Sequence, residues 1–167
     1  MGNPRIVVTG IGCVSPLGLD ATSTWEALIA GKSGVDRISL FDPEPFETKF
    51  AAEVRGFDPL AYMDKKEARR ADRFIQFAIA ASLQAVEQAK LVIDPSNSND
   101  IGVIIGSALG GLGTLSEQLE TLRAKGPNRI SPFLIPTIMN DMAPGHVSIR
   151  LGARGPNFNI TSSCSSS

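Results

Sequence analysis

The sequence predicts an α/β fold, with a parallel or mixed sheet covered by helices. Three observations carry that expectation: short β-branched runs bounded by glycines, stretches of helical period between them, and enough chain for one core. The 167 residues are about one domain's worth on a prior of roughly 150 residues per domain. A hydrophobic fraction of 43%, a charged fraction of 20% and a mean hydropathy of +0.06 belong to a globular chain, not a disordered one. Sixteen Lys+Arg against 17 Asp+Glu leave a formal net charge of -1, which argues against nucleic-acid binding by bulk charge. The apolar stretches fall far short of the ~20 residues of a membrane span. Two cysteines, Cys13 and Cys164, cannot make a disulfide framework, and nothing resembles a secretory leader. A soluble protein of a reducing compartment is the expectation, most simply the cytoplasm.

Ile6-Val7-Val8-Thr9 reads as a buried strand stopped by Gly10-Ile11-Gly12. Asp20 or Thr22 then caps a helix carrying Trp25, Leu28 and Ile29, which Gly31 ends. Residues 32–64, punctuated by Gly34, Pro43, Pro45, Gly56 and Pro59, read as a long ordered loop with short strands, in which Phe41, Phe46, Phe50 and Phe57 need burial. The clearest helix runs from about Lys66 to Leu91. Ala71, Phe74, Ile75, Ala78, Ile79, Ser82, Leu83, Val86 and Ala89 form one stripe along it. Residues 101–105 read as a fully buried strand, Gly106 to Gly113 as a glycine-rich turn, and Thr114 to Lys125 as an amphipathic helix. Pro127, Pro132 and Pro136 bracket an irregular stretch, and a further helix covers about Asp141 to Leu151. Phe158-Asn159-Ile160-Thr161 is a strand running straight into Ser162-Ser163-Cys164-Ser165-Ser166-Ser167, an ending that looks like a chain cut within a motif.

Several motifs admit more than one reading. Gly10-Ile11-Gly12-Cys13-Val14-Ser15 approaches a dinucleotide fingerprint, but Pro16 and Gly18 push the next helix too far along, so a structural turn is the better expectation. Gly106 to Gly113 lacks the Lys-Ser/Thr of a phosphate loop. Its glycines permit close approach of a ligand or of another segment, and Leu109 and Leu112 suit an apolar pocket wall. Residues 65–73 hold five basic and two acidic residues. Lys66, Arg69, Arg70 and Arg73 share one face at the start of the long helix, where the dipole disfavours them. That face is either solvated or docks an acidic partner. His146, the only histidine, has no second ligand in view, so no metal site and no hydrolase triad is expected. Cys164 comes after an apolar strand and has only small neighbours, as a nucleophile on a sharp strand-to-helix turn requires. A helix start after it would favour the thiolate. The alternative is an inert buried thiol, a description that also suits Cys13.

Taken together these stretches resemble the N-terminal half of a β-ketoacyl-acyl-carrier-protein synthase of the type II, elongating kind. Val7 to Gly12 with Ser15-Pro16-Leu17-Gly18, Asp72 to Ala78, Gly106-Ser107 with Gly110 to Gly113, Ile130 to Phe133, Gly152 to Asn157 and Thr161 to Ser166 carry the likeness, in order, over essentially all 167 residues. The resemblance implies a thiolase-like fold of two similar α/β halves in an α-β-α-β-α stack, here residues 1–167 as the N-terminal half, and a homodimer. It implies that Cys164 accepts an acyl chain as a thioester from acyl carrier protein. The carbanion from decarboxylated malonyl-carrier protein would then attack that thioester, with the Cys164 backbone N–H as an oxyanion donor. Lys66, Arg69 and Arg70 match carrier-docking positions, and Leu109 and Phe133 match acyl-pocket positions, Phe133 reaching toward a partner's pocket. No cofactor, metal, nucleic acid or membrane is implied.

Ser163 and Ser167 stand where the family more often has Ala and Gly, and the family's catalytic histidines and lysine lie beyond the nucleophile. An isolated 167-residue product is accordingly expected to lack the decarboxylating groups, to be inactive and to aggregate. Two readings compete with the fatty-acid synthase: a non-catalytic half-synthase that binds carrier protein or pairs with another chain, and a polyketide-type ketosynthase.

Overall fold

The computed structural model describes residues 3–166. Ser167, singled out above as a departure, lies outside them. The chain forms two compact units, one of residues up to Asp58 with Leu83–Leu91, the other of Pro59–Ser82 with Val92 onward.

In the first unit, helix α1 spans Ala21–Ile29. Asp20 is its N-cap: the Asp20 carboxylate accepts from the Ser23 N–H at 2.7 Å, and the Ser23 hydroxyl accepts in return from the Asp20 N–H. These bonds hold the Asp20 carboxyl below its ordinary range, the Ser23 backbone first. Gly31, at φ +66°, lies just past the helix end. The expected strand at residues 6–9 does not form; these residues are irregular and exposed. Just beyond them the Ile11 and Cys13 N–H groups donate to the Gln88 and Gln84 side chains at 2.6 and 3.0 Å. Those same bonds use up amides a pyrophosphate would need, and the turn falls later than the expected Gly10-Ile11-Gly12, at Pro16-Leu17, closed by the backbone bonds between Ser15 and Gly18. Gly10 lies so close to the Ala85 carbonyl that no side chain fits there.

Strands β1 (Val35–Arg37) and β2 (Phe50–Ala52) pair antiparallel, Val35 opposite Ala52. Their connection is tied by Glu53, whose buried carboxylate accepts from the Ser39 N–H and hydroxyl and from the Leu40 N–H. The aromatic residues expected to be buried here are not. Phe41, Phe46 and Phe50 are exposed and Phe57 is half-buried, with Phe41 and Phe46 meeting edge to face at 5.5 Å.

The helix expected from Lys66 to Leu91 is two helices, α2 (Lys65–Ala68) and α3 (Arg73–Ala89). Asp72 breaks the run, since a short carboxylate competes for nearby backbone N–H groups. It accepts from the Phe74 N–H at 3.4 Å and from the Thr114 hydroxyl at 2.5 Å. Gln76 staples the break, donating to the Ala68 and Ala71 carbonyls, both at 3.0 Å. The stripe survives in part: Ala71, Ile75 and Ile79 are buried, its other members are half-buried, and Ala80, outside it, is buried as well. Asp64 caps α2 through the Lys66 and Glu67 N–H groups, which lower its pKa, Glu67 first.

In the second unit β3 (Val103–Gly106) and β4 (Asn157–Ile160) pair in parallel, with Ile105 opposite Asn159. Helices α4 (Leu112–Lys125), α5 (Leu134–Ile138) and α6 (Met142–Leu151) lie between them in sequence. The segment Gly152 to Pro156 sets the strand register. Gly152 ends α6 in the left-handed conformation at φ +74°, the Arg154 and Gly155 N–H groups donate to Ser98 and Ile101 carbonyls, and the Val103 N–H donates to Pro156. β3 is not fully buried as expected: Ile104 is exposed, while Val103 and Ile105 are half-buried in a strand that packs on α6, and on β4 Phe158 and Ile160 are exposed. α4 begins two residues earlier than expected, and the proline-rich stretch holds α5 with Pro136 inside it.

Candidate active site

Cys164 lies on the loop that leaves β4, past the carboxyl ends of two parallel strands, the place where open α/β sheets present ligand-binding groups. It is exposed, which removes the buried alternative. Serines shape the loop: Ser166 Oγ accepts from the Ser162 N–H at 2.9 Å and donates to the Ser163 carbonyl at 2.7 Å, and the Ser165 N–H donates to Ser162. Ser163 sits at φ +52°, so the residue before Cys164 turns the chain in the left-handed region.

A cleft of about 620 Å³, within the ~300–1,000 Å³ of small-ligand sites, opens in the same unit. Leu109, Leu112, Leu115, Ile138 and Met139 are among its walls, and Asn140 and Asn159 contribute amides. The glycine-rich turn serves both readings left open above. Gly110 and Gly111 line the cleft and also press on the C-terminal end of α5 and on Asn140, a Cβ on Gly111 coming 2.6 Å from Ile138 Cα.

Of the residues singled out from sequence, Leu109 stands in the cleft wall, 68% exposed. Phe133 stands elsewhere, as the N-cap residue of α5 with Arg70 over its ring at 4.3 Å. Lys66 lies in α2 and Arg69 and Arg70 at its C-terminal end, all three exposed. The break puts Arg69 and Arg70 at the end of α2 and gives Asp72 to the start of α3, while Lys66 stays in the first turn of α2, next to its Asp64 cap. His146 lies in α6. Among the described residues no cluster of three or more His, Cys, Asp or Glu side chains is arranged to hold a metal, and no helix is long and apolar enough to cross a membrane. Sequence reasoning missed Asn140 and Asn159, although asparagine twice within a four-residue strand is a signal, being depleted in strands.

A profile described as "Beta-ketoacyl synthase, N-terminal domain" matches residues 3–167. The chain belongs to the β-ketoacyl synthase family. It is 46% identical over 162 residues to 3-oxoacyl-(acyl-carrier-protein) synthase 2 of Staphylococcus aureus strain COL, covering 97% of this chain and 39% of that protein. It is likewise 46% identical to the synthase of the same name from Vibrio cholerae, over 98% of this chain and 40% of that one. The chain thus spans about two fifths of the length of these relatives. Among solved structures, the ishigamide ketosynthase/chain length factor superposes with a TM-score of 0.79 at 27% identity, over 93% of this chain and 39% of that one. The α/β fold expected from the sequence is therefore that of the thiolase-like ketosynthases, represented here by N-terminal-half residues.

Proposed function

We propose that this chain carries the acyl-accepting site of a 3-oxoacyl-(acyl-carrier-protein) synthase of fatty-acid elongation, with Cys164 as nucleophile. The observation that carries the reading is the exposed thiol on the loop beyond β4, in the unit whose apolar cleft includes Asn159 of that strand. The names of the curated relatives support it. In the first step the Cys164 sulfur gives up its proton and attacks the carbonyl carbon of an acyl-carrier thioester. The bond from that carbon to the carrier's sulfur breaks, and the departing thiolate takes up a proton. One thioester replaces another at nearly equal energy, which suits a thiol nucleophile. In the second step a malonyl thioester loses CO₂, its carbanion attacks the acyl carbonyl, and the Cys164 thiolate leaves.

Leu109 contributes to the wall that receives the acyl chain, and Phe133 reaches a partner subunit's pocket in a homodimer. Lys66, Arg69 and Arg70 dock the acidic carrier protein. A reducing, cytoplasmic setting keeps the thiol available. The experiment is intact-mass analysis after incubation with an acyl-carrier thioester: one acyl group is gained by the wild type and by Cys13→Ser, none by Cys164→Ala. Undiminished acylation of Cys164→Ala defeats the proposal. Carrier binding that survives this change while acylation never occurs favours the non-catalytic binding module instead.

A further inference from the structure

β4 is patterned against ordinary transfer energetics. Its apolar Phe158 and Ile160 are 53% and 50% exposed, while the Asn159 amide between them is half-buried. Asparagine has no strand propensity to recommend it, and a part-buried amide persists only where its hydrogen bonds are made. Both strand asparagines make theirs. Asn157 Nδ2 donates to the Pro144 carbonyl at 2.9 Å and to Ser148 Oγ at 2.6 Å, fastening the start of β4 to α6. Asn159 Nδ2 donates at 3.0 Å to the carbonyl of Ile105, the residue opposite it on β3.

The other end of the Asn159 amide points along the chain. Asn159 Oδ1 lies 2.7 Å from the Thr161 hydroxyl, which also lies 2.9 Å from the Ser107 carbonyl. That hydroxyl has one proton for two acceptors. The Ser107 carbonyl already accepts from Asn140 Nδ2 at 3.0 Å, whereas Asn159 Oδ1 has no other donor among the described residues. The proton therefore matters most to Asn159. Beyond Thr161 the side-chain bonds of the loop close within residues 162–166. Thr161 is thus, among the described residues, the last side chain tying the Cys164 loop to β3.

We infer that Asn159, acting through Thr161, is a positioning residue that sets where the β4 strand end presents the Cys164 sulfur. This rests on the acyl-acceptor reading of Cys164. Attack on a carbonyl carbon demands an oriented sulfur, and small displacements cost rate while leaving binding intact.

The test compares Asn159→Ala, Thr161→Val and Thr161→Ser with the wild type by single-turnover acylation of Cys164 and by backbone hydrogen exchange over residues 162–166. Asn159→Ala and Thr161→Val are expected to lower the limiting acylation rate by about tenfold or more, with the half-saturating thioester concentration changed less than about twofold. Exchange in the loop accelerates in the same two variants, and Thr161→Ser, which keeps the hydroxyl, behaves as wild type. The urea midpoint monitors the fold. If Asn159→Ala lowers that midpoint, the Thr161→Val and Thr161→Ser pair decides. Wild-type limiting rates in Asn159→Ala and Thr161→Val overturn the inference. If the wild type itself is never acylated, the acyl-acceptor reading falls, and the exchange data alone judge the tether: faster loop exchange in both variants supports it and unchanged exchange overturns it.

Discussion

Gly110 shows how a single residue ties the cleft to its supports. A Cβ at this position would meet the Ile138 carbonyl and come 2.6 Å from Asn140 Oδ1, both fixed parts of the structure. Asn140 is in turn bonded to the Ser107 carbonyl, so a methyl group at Gly110 strains the cleft and the end of β3 together. Gly110→Ala is expected to cost about 1–3 kcal/mol, the range for overpacking, read as a lower urea midpoint. An unchanged midpoint would mean that the turn gives way easily. By contrast, Ile75→Ala removes a fully buried side chain far from the thiol loop in sequence and is expected to cost about 2–5 kcal/mol. At this scale legibility tracked the range of the interaction. The Asp20 cap was readable because donor and acceptor are three residues apart. The Asn159 and Thr161 bonds to Ile105 and Ser107 span 54 residues each, and nothing local announces them.

Among the elements, the pair α2 and α3 decides how the cationic segment works. The stripe from Ala71 to Ala89 predicted burial at Ala71, Ile75 and Ile79 but not the break, since period alone does not distinguish one helix from two that share a face. The break comes from Asp72 bonding across to Thr114, a partner 42 residues away. It leaves Lys66 and Arg69 exposed and places Arg70 on the Phe133 ring, with the Arg70 carbonyl held by Thr137 Oγ1 at 3.2 Å. The three cations therefore respond differently to charge reversal. Lys66→Glu and Arg69→Glu are expected to weaken carrier binding in a salt-dependent way, each by about 0.5–1 kcal/mol or several-fold at low salt, with no change in thermal midpoint. Arg70→Glu also loses the ring contact and lowers the midpoint. Titrating carrier protein at two ionic strengths checks this, and salt-independent binding by all three variants would remove the docking face.

The β1–β2 connection has an acid-sensitive lock. Hydrogen bonds from the Ser39 hydroxyl and then the Ser39 N–H hold the Glu53 carboxyl below its ordinary range, with Leu40 and Arg55 adding to the effect. A carboxyl depressed in the folded state contributes fully above its unfolded pKa, and the contribution disappears as pH falls through the folded value. Proteolysis of residues 39–53 is therefore expected to begin as pH drops through the carboxylate range. Glu53→Gln should flatten that onset while already opening the loop at neutral pH. Cleavage independent of pH in the wild type would contradict this.

For the molecule as a whole, the balance of covered and uncovered apolar surface governs behaviour in solution. Ile75, Ile79, Ala80, Ala143 and Val147 are buried, so the interior of the second unit is in keeping with its helical periodicity. Yet Ile6 is 93% exposed, Val8 81% and Ile149 83%, alongside the exposed sheet residues Ile104, Phe158 and Ile160. Most of these are residues whose burial the sequence predicted firmly in strands, because a β-branched run signals a covered position without naming what covers it. Apolar area of this extent on one polypeptide favours association, and a net charge of -1 with a pI near 5.8 offers little repulsion against it. The 167-residue polypeptide is therefore expected to bind an apolar dye and to scatter light increasingly with concentration, most strongly as pH approaches its pI. Ile149→Lys places a charge on an exposed position of α6, where surface substitutions change stability by only about 0.5 kcal/mol either way. It should reduce scattering while leaving the melt unchanged. A sharp, concentration-independent melt of a monomer, equal in wild type and Ile149→Lys, would show that these apolar side chains are tolerated in water and that the exposed faces drive no association.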